Sequence, residues 1–303
     1  MNPAITLEGI SKHYGKTTAL TDVTFSVPEG SMFGLIGPDG AGKSTLYRIL
    51  TTLIPPDSGT ATVTGLDVRT GYRKIRTEIG YMPERFSLYP DLTVSENLNF
   101  FASLFGVRVQ DNYDLIAPFF NQLAKFPHRR AGALSGGMKQ KLALGCALIH
   151  RPKILLLDEP TTGVDAVSRS EFWDMLATLR RKGITILVST SYMDEAERCE
   201  RIALINAGRI LKVDTPQRLV EGIGEQLYNA SAKEMYPLLM ALRSMPEVRN
   251  CYTFGATLHV VAGEGFDAAR ITADLQRQGL RDVRISPARG NIEDLFIKLA
   301  GNE

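Results

Sequence analysis

No apolar run in this 303-residue chain approaches the ~18–20 residues needed to span a bilayer. A membrane-spanning protein is not expected, so any membrane association must run through a partner protein. The start, MNPAITLEGI, lacks the basic residues and apolar core of a secretion signal. Cysteine is scarce: Cys146, Cys199 and Cys251 lie far apart and form no CxxC pair. That excludes a zinc ribbon or a disulfide framework and fits a reducing cytosol. The histidines, His13, His128, His150 and His259, are isolated, and none has a partner at metal-ligand spacing. His150, just ahead of Pro152, reads as a cation near a helix C-terminus. Excess charge is absent as well. Lys+Arg 35 against Asp+Glu 33 leaves +2, which gives no support to a nucleic-acid partner. Arg129–Arg130 reads as a solvated face. There is no low-complexity segment and no long repeat.

What is present is a core-forming chain with 44% hydrophobic residues, long enough for one large or two ordinary domains. Residues 1–221 alternate short apolar runs with helical periods, which predicts an α/β fold with a largely parallel sheet. MFGLIG (32–37) leads to a helix with Leu46, Ile49, Leu50 and Leu53 on one face. ILLL (154–157) leads to one with Phe172, Met175, Leu176 and Leu179 on one face. ITILVS (184–189) runs into an acidic, helix-forming stretch. Residues 93–125 hold apolar helical segments without strand signals, which predicts a helical insertion, a subdomain of about residues 90–150. After residue 222 the pattern changes. Strands near 225–231, 248–254, 256–262 and 281–286 alternate with helices carrying Leu238, Leu239 and Leu242, then Ile271 and Leu275. A last helix carries Ile292, Leu295, Phe296 and Leu299. This βαββαβ order predicts a small ferredoxin-like α+β domain over 222–303.

Three stretches carry chemistry. GPDGAGKST (37–45) matches G-x-x-x-x-G-K-[ST] between a strand and a helix, the context the motif requires. Its glycines let backbone N–H groups close around phosphate, Lys43 reaches the β/γ-phosphates, and Ser44 offers a hydroxyl to Mg²⁺. ILLLDEP (154–160) is a buried strand ending in two acids. Asp158 is placed to hold Mg²⁺, and Glu159 to orient and deprotonate an attacking water. LSGGMKQK (134–141) opens a helix on a hydroxyl and two glycines, Ser135, Gly136 and Gly137, after Leu134. That is a second anion site. Lys43 already occupies the γ-phosphate of the chain's own nucleotide, so the second site implies another subunit's ATP.

In order and spacing these motifs resemble the ATP-binding subunits of ABC transporters, over all of residues 1–220. The resemblance implies a Walker A loop of Gly37, Pro38, Asp39, Gly40, Ala41, Gly42, Lys43, Ser44 and Thr45. It implies a signature at Leu134–Gly137, a Walker B strand ending in Asp158 and Glu159, and a D-loop, TGVD, ending at Asp165. Two such domains pack head to tail, each ATP lying between one loop and the partner's signature. Tyr14 takes the position whose ring stacks on adenine. GNIEDLFIKLAG (290–301), STSYMDEAE and PDLTVSENL are similar to the drug- and antibiotic-exporter branch, to one half of a tandem multidrug-exporter ATPase.

Two positions depart from the family's pattern. Ser191 stands where the switch histidine is expected, and loss of that donor to the γ-phosphate costs ~10²–10³-fold in rate. Ser191-x-x-Asp194 also fits a capping box at the start of the next helix. Glu84 stands where a glutamine is expected to ligate Mg²⁺ and sense the membrane subunit. The resemblance therefore implies a Mg²⁺- and ATP-dependent ATPase driving an exporter from the cytoplasmic face of the bacterial inner membrane. Its partners would be an integral-membrane permease and a second ATP-binding subunit, in a homodimer or heterodimer. Its own site would be slow. The alternatives are an ATP-binding partner with little hydrolysis of its own, and a soluble ABC-type ATPase not coupled to transport.

Overall fold

The computed structural model describes residues 3–85, 87–120 and 123–301. Residues 86, 121 and 122, inside GYMPERFSLY and the expected helical insertion, lie outside the described residues, as do 1–2 and 302–303. The chain divides into two compact units, one ending at Pro216 and one spanning Gln217–Gly301.

The first unit opens with β1 (Pro3–Tyr14), β2 (Thr17–Pro28), β3 (Met32–Ile36), α1 (Lys43–Leu50), β4 (Ser58–Val63) and β5 (Leu66–Asp67). It continues with α2 (Tyr72–Glu78), β6 (Ile79–Met82), α3 (Val94–Leu104), α4 (Tyr113–Phe120) and α5 (Gly136–Leu148). It closes with β7 (Ile154–Asp158), α6 (Ala166–Arg181), β8 (Thr185–Thr190), β9 (Arg201–Asn206) and β10 (Arg209–Asp214). Two sheets result. One has the order β10–β9–β3–β8–β7–β6, parallel from β9 to β6. Its central strands β3 and β7 are buried at every position, as expected where helices cover both faces of a parallel sheet. The other has the order β2–β1–β4–β5 and is antiparallel. This second sheet goes beyond the sequence expectation. Its strands show apolar alternation rather than apolar runs, as along β2, where buried Val23, Phe25 and Val27 alternate with outward residues.

The parallel register brings the C-terminal ends of β3, β6, β7 and β8 to one edge, where ligands of α/β sheets bind. Between β6 and β7 the described residues hold helices, short 3₁₀ turns and a single bridge, Thr93 to Arg130. Thr93 starts α3 with a capping box: its side chain accepts from the Glu96 amide, and the Glu96 carboxylate accepts from the Thr93 amide. Three local expectations are corrected. α1 ends at Leu50, and Leu53 lies beyond it, 60% exposed, after a turn through Thr52 at φ 62. His150 is half-buried and stacked on Phe105 at 3.7 Å, with Nε2 2.9 Å from the Ile79 carbonyl oxygen. Burial pushes its pKa down, and the ring packs in the interior rather than standing at an exposed helix end. The Ser191 capping box is absent: the segment after β8 is a 3₁₀ turn, Met193–Arg198, with Tyr192 at its N-cap and no side-chain cap.

The second unit begins within α7 (Pro216–Glu221) and continues with β11 (Leu227–Ser231), α8 (Met235–Arg243), β12 (Val248–Phe254) and β13 (Thr257–Ala262). It ends with α9 (Ala268–Arg277), β14 (Arg284–Ala288) and α10 (Ile292–Ala300). The division between the units falls within α7, between Pro216 and Gln217. Amides of Gly222 and Ile223 bond back to Arg218 and Val220, so α7 leads directly into Ile223, which packs with Leu227 against Gly290. The sheet is antiparallel, in the order β12–β13–β11–β14. With helices α8 and α9 on one face, closing over Cys251, Leu258 and Val260, this is the ferredoxin-like arrangement.

His259, between Leu258 and Val260, points to the opposite face. There α10 brings Asp294 to within 2.6 Å of His259 Nδ1, and the Tyr252 hydroxyl donates to the same carboxylate oxygen at 2.7 Å. The other oxygen of Asp294 accepts from the Asn291 amide, completing a capping box. Asp294→Ala strips the partner from buried His259 and half-buried Tyr252 and is expected to destabilise the second unit by about 3 kcal/mol. Scanning calorimetry of the full chain checks this: the transition of the second unit should fall by about 10 °C or more, with the first unit unmoved.

Candidate functional site

The loop 37–42 leaves β3 and enters α1. Gly37 and Gly42 cannot carry a side chain here: a Cβ on Gly37 would stand 2.2 Å from the Ile205 carbonyl oxygen, and one on Gly42 2.6 Å from that of Ala19. Gly42 also adopts φ 102, a left-handed conformation that glycine tolerates. The Gly37 amide bonds the Thr190 carbonyl at 3.2 Å, tying the loop to the end of β8. Ala41 is buried, while Pro38 is half-buried and Asp39 and Gly40 face solvent. Gly42 caps α1 without a side-chain hydrogen bond, so the first-turn amides, at Lys43, Ser44 and Thr45, are left for an anion.

Lys43 is the hub of this loop. Its ammonium donates to the carbonyls of Gly37 at 2.6 Å and Pro38 at 2.9 Å. It also lies 2.9 Å from Glu159 Oε1, as an ion pair without hydrogen-bond alignment. Both side chains are 5% exposed. Beside it, Asp158 ends β7 and accepts from the Ser189 hydroxyl at 2.7 Å. Burial pushes the Asp158 carboxyl above its usual range. Hydrogen bonds from Ser189 and Ser44 oppose that shift, and the charges of Glu159 and Glu84 add to it.

Glu159 sits at φ 49, left-handed for a residue with a side chain. Its amide donates to the Ser189 hydroxyl at 2.9 Å. Its second carboxylate oxygen, Oε2, accepts from the Thr162 hydroxyl at 3.1 Å and from the Ser191 amide and hydroxyl at 3.2 and 3.4 Å. Ser191 therefore turns toward Glu159 and not into a helix cap. Thr190 serves the turn instead, its hydroxyl accepting from the Tyr192 amide at 3.0 Å. Ser189 is not singled out by sequence, because its contacts with Asp158 and Glu159 depend on strands about 30 residues apart coming side by side; the Thr162 contact is local, three residues past Glu159.

The remaining expected residues lie around this cluster or away from it. Glu84 is exposed, beyond the end of β6, within electrostatic range of Asp158. Tyr14 ends β1, 44% exposed. Leu134 is buried, and Ser135 and Gly136 are exposed. Ser135 caps α5, accepting from the Met138 amide at 3.4 Å. Gly137 is buried so close to α6 that a Cβ would stand 2.6 Å from Ser168 Oγ. Asp165 caps α6 by accepting from the Ser168 amide at 3.0 Å, which holds its carboxyl below the usual range. Among the described residues no hydrogen bond joins 134–137 to 37–45. The structure thus gathers Lys43, Ser44, Asp158, Glu159 and Ser191, and leaves the Ser135–Gly136 turn facing outward.

The donors around Asp158 are hard oxygens, and its carboxylate is buried at 2% exposure with a raised pKa, so a cation would find a site short of positive charge. Among the described residues no three His, Cys, Asp or Glu side chains converge as a complete metal cage. Mg²⁺ is held by one or two protein groups and completed by phosphate oxygens and water, and hard oxygens such as those of Ser44 and Asp158 suit it.

The family described as ABC transporter matches residues 20–162. The probable multidrug ABC transporter ATP-binding protein YbhF of Escherichia coli is 40% identical over 310 residues, 99% of this chain and 53% of that protein. The chain thus spans about half the length of the curated relatives it matches first. The Nod factor export ATP-binding protein I of Burkholderia orbicola is 38% identical, across 99% of this chain and 97% of that one. Among solved structures, an ATP-binding cassette captured as a dimer in a post-hydrolysis state with ADP and Pi superposes with a TM-score of 0.63. It is 26% identical and covers 70% of this chain and 98% of that one.

Proposed function

Since this chain belongs to the ABC transporter family of ATP-binding proteins, we propose that it binds and hydrolyses ATP to drive a membrane exporter. The observation that carries this reading is the convergence of Lys43, at the start of α1, with Asp158 and Glu159 at the tip of β7. The glycine loop would cradle the phosphates through its amides, with Tyr14 offering a ring face to the base. An arriving γ-phosphate competes with Glu159 for Lys43. Once released, Glu159 can accept a proton from a water, held by Ser191 and Thr162 on its other oxygen. Ser44 and Asp158, with Glu84 further out, would hold Mg²⁺, whose charge screens the phosphate oxygens. The exposed Ser135–Gly136 turn would meet the nucleotide of a second ATP-binding subunit, whose own turn and D-loop reciprocate; Asp165 ends the D-loop here.

The partner in the membrane is proposed from the relatives' export names and from a cleft in the first unit. Among the described residues no helix is long and apolar enough to cross a membrane. The cleft, about 360 Å³, is lined by Met82, Leu53, Phe101, Leu104, Phe105 and His150 among others. Leu53 and Leu104 are 60% and 61% exposed. It includes Ser87 and Leu88, a few residues past Glu84, so a permease loop seated there would adjoin the Mg²⁺ site. The protein would then work peripherally, at the cytoplasmic face of the bacterial inner membrane. A charge placed in the cleft tests this: Leu104→Asp is expected to cut permease-stimulated turnover and co-purification by about tenfold, with the turnover of the isolated chain unchanged. Equal stimulation of the variant and the parent would refute the docking site.

Ser191 favours a second reading, in which the chain binds ATP but turns it over slowly beside a faster partner subunit. Its hydroxyl is spent on Glu159, so it offers the γ-phosphate no donor comparable to an imidazole.

A further inference from the structure

Glu195 has no role in the site described above, yet it is 4% exposed and ionisable. It lies in the 3₁₀ turn after β8. Its Oε1 accepts from the Thr161 hydroxyl at 2.9 Å, and its Oε2 from Thr161 at 3.2 Å and Thr190 at 2.5 Å. Thr161 follows β7 and is 1% exposed; Thr190 ends β8 and is 0% exposed. One carboxylate therefore ties together the two segments that emerge beside the loop 37–42. The chain neighbours of these threonines, Thr162 and Ser191, are the residues that hold Glu159 Oε2. The two clasps therefore share chain neighbours: 161–195–190 and 162–159–191.

We infer that Glu195 is a positioning residue for Glu159, fixing through Thr161 and Thr190 the two donors that aim the Glu159 carboxylate. A buried carboxylate is costly unless paired and hydrogen-bonded, and here the pairing is spread. Arg169 Nε stands 3.9 Å from Glu195 Oε1, while the same guanidinium lies 3.9 Å from Asp194 and 4.7 Å from the centre of the Tyr192 ring. Arg169 belongs to α6, the helix that Asp165 caps, so the clasp also ties the switch segment to the D-loop helix. The left-handed φ of Glu159 needs such surroundings, because a strained backbone persists only where its environment over-determines it. The inference rests on Glu159 acting as the base in ATP hydrolysis.

The test compares the full chain with Glu195→Gln, Thr161→Val, Thr161→Ser, Glu159→Gln and the Glu195→Gln/Glu159→Gln double variant. MgATP turnover is measured in each, with equilibrium binding of trinitrophenyl-ATP. Glu195→Gln and Thr161→Val should lower kcat by about 10²-fold, the cost of a small misplacement. KM and nucleotide affinity should stay within about twofold. Thr161→Ser, which keeps the hydroxyl, should recover most of the rate. The double variant should be no slower than Glu159→Gln alone, because both changes act through one carboxylate. Parent-like turnover in Glu195→Gln would overturn the proposal, as would a loss that adds to that of Glu159→Gln or a matching fall in nucleotide affinity. Hydrogen exchange in the nucleotide-free chain reads the clasp without turnover. Faster exchange of the 159–162 and 189–192 amides in Glu195→Gln supports it, and unchanged exchange refutes it. A parent with no Glu159-dependent turnover sinks the ATPase reading, and exchange then decides the clasp alone.

Discussion

Glu159→Gln is expected to lower ATP turnover by about 10²–10³-fold while ATP still binds. Glutamine matches glutamate in shape and can still accept from Thr162 and Ser191 through its carbonyl oxygen. It cannot take a proton from water, so the step that needs a base fails. Nor can it pair with Lys43. Lys43 lies 2.9 Å from Glu159 in a pocket where both are 5% exposed. A phosphate must displace that carboxylate to claim the ammonium, and the exchange costs part of the binding energy because a buried charge cannot be left unpaired. Removing the negative charge removes the competitor. ATP affinity should therefore rise as turnover falls, a pair of changes that a simple loss of folding would not produce. Equilibrium binding and single-turnover hydrolysis measure the two quantities separately. If the variant hydrolyses ATP at the parent rate, Glu159 is not the base.

The phosphate-loop stretch and the acidic pair stand out in sequence because each follows an apolar strand, and a parallel sheet carries such strand ends to one edge. GPDGAGKST after β3 and DEP after β7 needed only local reading. The βαββαβ unit was legible for a different reason: its strands and helices differ in apolar period, and Gly255 marks the β12–β13 turn, at φ 55. The failures are non-local or concern boundaries. Leu53 fits the helical spacing of Leu46, Ile49 and Leu50, but Thr52 has already turned the chain. His150 looked like a helix-end cation until Phe105, 45 positions away, covered it. The antiparallel sheet of β1, β2, β4 and β5 carries an alternating pattern that long apolar runs overshadow. Thr93 and Glu96 form a capping box that the T-x-x-E spacing would have revealed.

Ser191→His should raise the turnover of the isolated chain by about 10²-fold, the usual worth of one preorganised donor to transition-state charge. The position is fixed by its surroundings rather than by its side chain. The Ser191 amide bonds Glu159 Oε2 at 3.2 Å, and the preceding carbonyl, of Thr190, accepts from Gly37 in the phosphate loop. Whatever residue stands at 191 therefore emerges between the base and the loop. Serine is short, and its hydroxyl turns back to Glu159 at 3.4 Å. An imidazole is longer and carries a donor at its far end, so it can reach past Glu159 toward the γ-phosphate while the amide contact is kept. The segment that follows is no obstacle, since no helix cap depends on the Ser191 hydroxyl. Steady-state turnover of the two forms without a permease provides the comparison. A parent that already hydrolyses ATP at an ordinary rate of about 1–10 per second, with no gain from histidine, would remove the case for a slow site. A parent that is slow alone, quickened by histidine to that range, would mean that the chain as it stands relies on a partner subunit for its faster turnover.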